Sequence, residues 1–140
     1  MREILFKAKR IDNGEWVEGS YIKSQPINEY AKTNASMIIC ENGKGKLVQI
    51  DETTLCQYTG MTDKNGNKIW ENDILEWEFE NIPSDYYECV WLEDECAFAF
   101  KNGNDYTNPV DCYDEYSDHF CMKVIGTTFD NPELVKGGAT

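Results

Sequence analysis

Turn chemistry interrupts this chain at short intervals, and that restricts its fold more than any other feature. Asp12-Asn13-Gly14, Asn42-Gly43-Lys44-Gly45, Asp63-Lys64-Asn65-Gly66-Asn67, Glu71-Asn72-Asp73 and Asn102-Gly103-Asn104-Asp105 concentrate residues that tolerate positive φ or bond their own backbone. Glu93-Asp94-Glu95 adds a turn of three consecutive acids. The intervals between them suit strands rather than long helices. Several intervals alternate with period two. Ile4, Phe6 and Ala8 oppose Leu5, Lys7 and Lys9; Leu75, Trp77 and Phe79 oppose Glu76, Glu78 and Glu80; Cys96, Phe98 and Phe100 oppose Ala97 and Ala99. The second of these reads as a strand with one face in water. Roughly nine short strands result, with little helix: a mainly β protein with minor α.

In chain order, Trp16 to Ile22 returns from the first turn as a strand, with Trp16 and Tyr21 as cross-strand packing residues. Ser24 to Ser36 is polar, contains Pro26 and reads as a loop or one short helix. Met37 to Cys40 and Lys46 to Ile50 are strands, and Asp51 is placed to cap a short helical turn through Thr54. Gln57 to Thr59 is extended and Gly60 ends it. Pro83, within Asn81 to Asp85, breaks the strand that begins at Ile74. Tyr87 to Leu92 is the next strand. Tyr106 to His119 is acidic, tyrosine-rich and without period, the kind of loop on which function tends to sit. Cys121 to Ile125 is a closing strand ended by Gly126, and Asn131-Pro132-Glu133 starts a short helix. The division read from this pattern is a hairpin-based subdomain over 1–68, a small barrel over 69–130 and a tail over 131–140.

The chain has 140 residues, enough for a real core, and 41% of them are hydrophobic. Its formal net charge of −13 is unevenly spread: residues 1–70 hold 10 basic and 9 acidic residues, residues 71–140 hold 3 and 17. From Glu71 to Phe100 ten acidic residues follow without a basic one. The plain reading is a solvated face that keeps the protein soluble. The sharper readings are a docking surface for a basic partner or a mimic of nucleic-acid phosphate charge. Direct nucleic-acid binding through this half is not expected, because phosphates need Lys and Arg. No signal-peptide pattern or transmembrane run is present, so a cytoplasmic location in a bacterial host, without membrane association, is expected. The cysteines are then reduced.

Candidate chemistry is thin. Cys40, Cys56, Cys89, Cys96, Cys112 and Cys121 contain no Cys-x-x-Cys pair. Cys112, His119 and Cys121 form the tightest group, and His119 and Cys121 on a strand share a face, but structural zinc ligands are usually paired more closely. Buried thiols acting as small apolar residues are the expectation. His119 is the only histidine, with Asp111 or Asp118 as the nearest orienting carboxylates, and no local nucleophile signature surrounds it. Asp111, Asp114, Glu115 and Asp118 lack the glycine and closing glutamate of a calcium loop. Gly43-Lys44-Gly45-Lys46 lacks phosphate-loop spacing and a following hydroxyl. No catalytic residue, metal ligand or cofactor is assigned.

The runs Gln57-Tyr58-Thr59-Gly60, Asp63-Lys64-Asn65-Gly66 and Ile69-Trp70-Glu71-Asn72-Asp73-Ile74 resemble the signature of the YopX family. Arg2-Glu3-Ile4-Leu5-Phe6-Lys7-Ala8 resembles its opening, and Val124-Ile125-Gly126 with Asn131-Pro132-Glu133-Leu134 its close. One departure is Asn72, where the family usually has glycine; Asn is the next most tolerant of a left-handed conformation. The resemblance implies a phage or prophage setting and a small mainly β protein ending in an SH3-like barrel. It brings no catalytic residues with it. Together these readings lead to a non-enzymatic protein-binding module with a host or phage protein partner of basic character, with Glu76, Glu78, Glu80, Tyr113 and Tyr116 as the binding residues. A homo-oligomer is compatible with the sequence. The rivals are an acidic decoy for the DNA site of a nucleic-acid-binding protein and a metal-dependent enzyme built on the Cys/His group.

Overall fold

A computed structural model describes residues 3–23, 36–40, 45–79, 82–114 and 119–137. The chain divides into two compact units, 1–58 and 59–140, so the division lies ahead of the position at 68 read from the sequence. The whole Gln57–Phe79 signature, apart from its first two residues, therefore belongs to the second unit. Of the expected loop from Ser24 to Ser36, residues 24–35 lie outside the described residues and Ser36 already belongs to a strand. Of the turn expected over Asn42 to Gly45, only Gly45 is described, at φ +78 with its N–H on the Cys40 carbonyl at 3.2 Å.

The first unit is built from β1 (Phe6–Arg10), β2 (Trp16–Lys23), β3 (Ser36–Cys40) and the first part of a long strand, β4 (Lys46–Thr62). All pairings are antiparallel, and they close: β1 pairs with β2, β2 with β3, β3 with β4 and β4 with β1. β2 and β4 each turn a corner of this ring, pairing with one neighbour along their first part and with the other along the next. Gly14, at φ +73, makes the β1–β2 turn, with its N–H on the Arg10 carbonyl at 3.0 Å. Gly19 has a different task. A Cβ there would run into the Ile39 carbonyl on β3, so only glycine lets the two backbones approach. Ala8, Ile38 and Ile50 form the core, with Phe6, Val17, Tyr21, Cys40 and Leu55 packed against it.

Asp51 does not start a helical turn. Its side chain does accept the Thr53 N–H at 3.0 Å and the Thr53 hydroxyl at 2.7 Å, but β4 stays extended. The local turn is absorbed as a bulge, because the register with β1 jumps between Lys9↔Asp51 and Lys7↔Cys56. The Thr54 hydroxyl satisfies the Lys9 N–H at 2.8 Å where the ladder is interrupted. The capping chemistry is present; tertiary pairing overrides the helix.

The second unit begins in the last part of β4, which continues through Gly60 (φ +87) to Thr62. β5 (Lys68–Trp70) is its neighbour. The remaining strands are β6 (Asp73–Phe79), β7 (Ile82–Leu92), β8 (Ala97–Asn102), β9 (Asp105–Thr107) and β12 (Met122–Thr127), in the antiparallel order β12-β6-β7-β8-β9. β10 (Tyr113–Asp114) and β11 (His119–Phe120) form a separate two-stranded pair. Among the described residues β9 and β12 do not pair with each other, so the SH3-like closure expected here is not among the pairings; the closed ring is in the first unit. Ile69, Leu75, Cys89, Phe100, Cys112 and Met122 are fully buried as one core, and Trp77, Tyr87, Phe98 and Phe120 pack around it. A short helix, α1 (Pro132–Gly137), starts where Asn131-Pro132-Glu133 places it and packs against β7.

Pro83 does not break the strand: it lies within β7 at a bulge, where the register shifts between Trp77↔Asp85 and Glu78↔Pro83, a place a proline is tolerated. Gly126 does not end β12 but lies beside a second bulge, between Val124 and Gly126. It needs to be glycine because a Cβ would meet the Asn131 side chain, whose Oδ1 accepts the Thr127 N–H at 3.3 Å. Cys96 is a turn residue at φ +52, not the start of β8. Asn72 adopts φ +70, the left-handed conformation expected of it, and its N–H and carbonyl bond Cys89 O at 2.8 Å and Thr128 N at 2.9 Å.

Candidate functional site

Glu76, the described member of the expected acidic face of β6, does not point into water. Glu76 is only 8% exposed, and it lies on an inner strand with β12 and β7 on either side. Lys123 is its cross-strand neighbour, and the ammonium lies 3.6 Å from the Glu76 carboxylate. Ile74, two residues earlier, is fully buried. Alternation with period two identifies the two sides of a strand but not which of them other chain segments cover. Glu76 is thus an ion-paired structural residue. The Glu78 side chain, Glu80 and Tyr116 lie outside the described residues.

Tyr113 lies at the surface of the second unit. It is 38% exposed, and its ring stands edge-on to Phe120 at 5.3 Å. Phe120 in turn meets Phe100 edge-on at 6.3 Å, so Tyr113 is anchored to the core at one edge and open at the other. The segment that the sequence presents as irregular holds a 3-10 turn over Pro109–Cys112, capped by the Asn108 side chain on the Val110 N–H at 3.2 Å.

The thiols fall out differently. Cys112 and Cys89 are fully buried in the core of the second unit, as small apolar residues would be. Burial pushes the Cys112 thiol up to about 11, with the nearby Cys121 and Asp111 adding to it, so it is protonated at neutral pH. Cys121 is half-buried, and its N–H donates to the Cys112 carbonyl at 2.8 Å. The His119 side chain lies outside the described residues. Among the described residues no group of three or more His, Cys, Asp or Glu is placed to hold a metal.

The buried Asp63 is the strongest polar centre. Its Oδ1 accepts the N–H groups of Asn65 at 2.9 Å and Asn67 at 2.8 Å, and its Oδ2 accepts the Val124 N–H at 2.9 Å. Asn67 Nδ2 approaches Oδ2 at 3.4 Å. A fully buried carboxylate with every lone-pair direction used this way organises a turn; it has no capacity left to act as a base. Asp73 is used similarly, with Oδ2 on the Trp70 N–H at 2.8 Å.

Two surfaces escaped the sequence reading. At the end of the β7–β8 hairpin Trp91 is 41% exposed and stacks edge-on against its cross-strand partner Phe98 at 5.0 Å. The exposed acids Glu93, Asp94 and Glu95 follow within the same turn. In the first unit Ile11 and Leu47, 59% and 54% exposed, line a shallow groove of about 230 Å³ with Val48, Lys46 and the Arg10–Asp12 pair. That pair is bidentate, at 2.8 and 2.7 Å, and holds the Asp12 carboxyl below its usual range. The signal for Trp91 itself was available: a bulky apolar residue near a strand end, with three acids beginning two positions later. Charge by unit sharpens it. Residues 1–58 carry 8 basic and 8 acidic residues, whereas residues 59–140 carry 5 and 18, a net −13.

The fold therefore defines a two-unit, mainly β protein with buried polar residues committed to structure and aromatic side chains at the surface. The YopX protein family matches residues 5–136, and the chain belongs to that family. Among solved structures, protein EF1440 from Enterococcus faecalis superposes with a TM-score of 0.56 over 96% of this chain and 99% of its own, at 22% identity, and shares the fold. Comparison with proteins of curated function returns no match. No helix among the described residues is long and apolar enough to cross a membrane.

Proposed function

We propose that this chain is a non-enzymatic protein-binding module of phage or prophage origin that docks a basic segment of a host or phage protein. The observation that carries the reading is Trp91. It is a large aromatic residue held by Phe98 on a hydrogen-bonded hairpin, yet open to solvent beside an acidic turn. Rigid, half-exposed aromatics are the residues that dominate protein interfaces, and an acidic rim favours Lys and Arg through both charge and cation–π contact. Tyr113 is a second anchor on the same unit, and Glu76 is withdrawn from the docking set because Lys123 already neutralises it. The expected absence of catalysis rests on the commitment of Asp63, Asp73 and Cys112 to structure.

Affinity capture from host lysate at low and high salt, with wild type and Trp91→Ala side by side, tests this. The expected result is a partner that survives high salt and is lost with Trp91→Ala, a drop of roughly 30-fold or more for a hot-spot residue. Retention of every captured partner by Trp91→Ala, with the triple charge reversal at Glu93, Asp94 and Glu95 equally silent, overturns the reading. An acidic decoy predicts another pattern: a nucleic-acid-binding protein captured at low salt and released as screening rises. Stoichiometric zinc on elemental analysis would promote a metal enzyme instead.

A further inference from the structure

We infer that Cys112 and Cys121 are a thiol modification site, and that a small disulfide such as oxidised glutathione converts them to an intramolecular disulfide in the folded protein. The inference stands apart from the docking reading and rests on backbone register. β10 and β11 pair as Tyr113↔Phe120 and Asp114↔His119, so the next opposed position is Cys112 and Cys121. The Cys121 N–H donates to the Cys112 carbonyl at 2.8 Å, which continues the hairpin contact to that position. Cys112 ends the 3-10 turn, so this one bond, rather than a full ladder pair, joins the two positions. Opposed residues at a hydrogen-bonded antiparallel position have Cα atoms about 5.5 Å apart, within the range a disulfide spans. Cys89, another buried thiol of this core, faces Phe100 across its own ladder.

The two thiols differ in the way a stepwise exchange requires. Cys121 is half-buried and reachable, whereas Cys112 is fully buried and kept protonated by its surroundings, with Cys121 itself among the causes. Cys121 loses its proton to solvent, and its thiolate attacks one sulfur of glutathione disulfide, releasing one glutathione thiolate and leaving Cys121 as a mixed disulfide. Cys112 then loses its proton and attacks the Cys121 sulfur, forming the protein disulfide and displacing the second glutathione thiolate. Two protein thiols are oxidised and one glutathione disulfide is reduced to two thiols. The product ties the two ends of the β10–β11 hairpin, the segment that presents Tyr113.

The test uses the full chain in buffers of graded reduced-to-oxidised glutathione ratio, quenched with an alkylating agent and mapped by peptide mass spectrometry. A linked peptide joining Cys112 to Cys121, formed while the circular dichroism spectrum stays native, is expected as the main product. Cys121→Ser should abolish it, and Cys112→Ser should stop at glutathionylated Cys121. Because serine at the buried Cys112 position endangers folding, wild type and Cys121→Ser carry the decision. Stable glutathionylation of wild-type Cys121 without closure overturns the inference. So does a main link between any other cysteine pair, or a link that appears only after denaturation.

Discussion

Asp63 concentrates more of the second unit's organisation than any other side chain. Its carboxyl group is fully buried, and each oxygen accepts from N–H donors. Asp63→Asn keeps the shape but turns an NH2 group toward one of those donors. A loss of about 2–3 kcal/mol is expected, read by urea denaturation. Gly19 is the matching case in the first unit. Gly19→Ala drives a methyl into the Ile39 carbonyl and should cost about 2–3 kcal/mol in the same measurement. Cys112 gives a pH dependence. Its thiol titrates higher in the folded chain than the ordinary value of 9.0, so the unfolded chain gives up its proton first as pH rises. Stability from this group is whole below about pH 9 and is lost as pH climbs toward about 11. Cys112→Ala should flatten that limb of the stability–pH curve.

At the scale of elements, the strands were legible where turn residues bracket them and opaque where pairing decides. Asp12-Asn13-Gly14, Asp63 to Asn67 and Asn102 to Asp105 all became turns, because their backbone preferences are local and nothing distant overrules them. Asp51, Pro83 and Gly126 were misread for one shared reason: each bears a local breaking signal that the sheet absorbs as a bulge. Glu76 was misread because alternation is a property of one strand, whereas burial depends on what covers the sheet. The pair it forms with Lys123 has a testable asymmetry. Lys123→Met leaves a nearly buried carboxylate without its ion-pair partner and should cost about 1–3 kcal/mol, more than the double variant with Glu76→Leu. Of the candidate site, Tyr113 was readable from the sequence. The Trp91–Phe98 pair was not, because it depends on the register that sets them opposite each other.

For the whole molecule, charge and topology divide the chain unequally. The first unit is neutral and its pairings close into a ring, while the second carries the entire net charge. Raising salt from low to physiological levels should therefore stabilise the second unit selectively through screening of its self-repulsion. Hydrogen exchange resolved by segment would show protection rising over 59–137 and staying flat over 3–58. A uniform response would show that the acids are spaced widely enough not to interact.

The bond from Asp63 to Val124 spans 61 positions of sequence, and it has a bearing on how the chain is made. The ring of the first unit is complete once Gln57 has left the ribosome, since β4 needs nothing later to pair with β1. The Asp63 turn is different: one of its donors is synthesised 61 residues after the acceptor. At translation rates of about 5–20 residues per second the signature hairpin waits several seconds, its carboxylate incompletely satisfied, for its last strand. A ribosome-stalled chain ending shortly after β8 should thus hold a protease-resistant first unit and a cleavable second one.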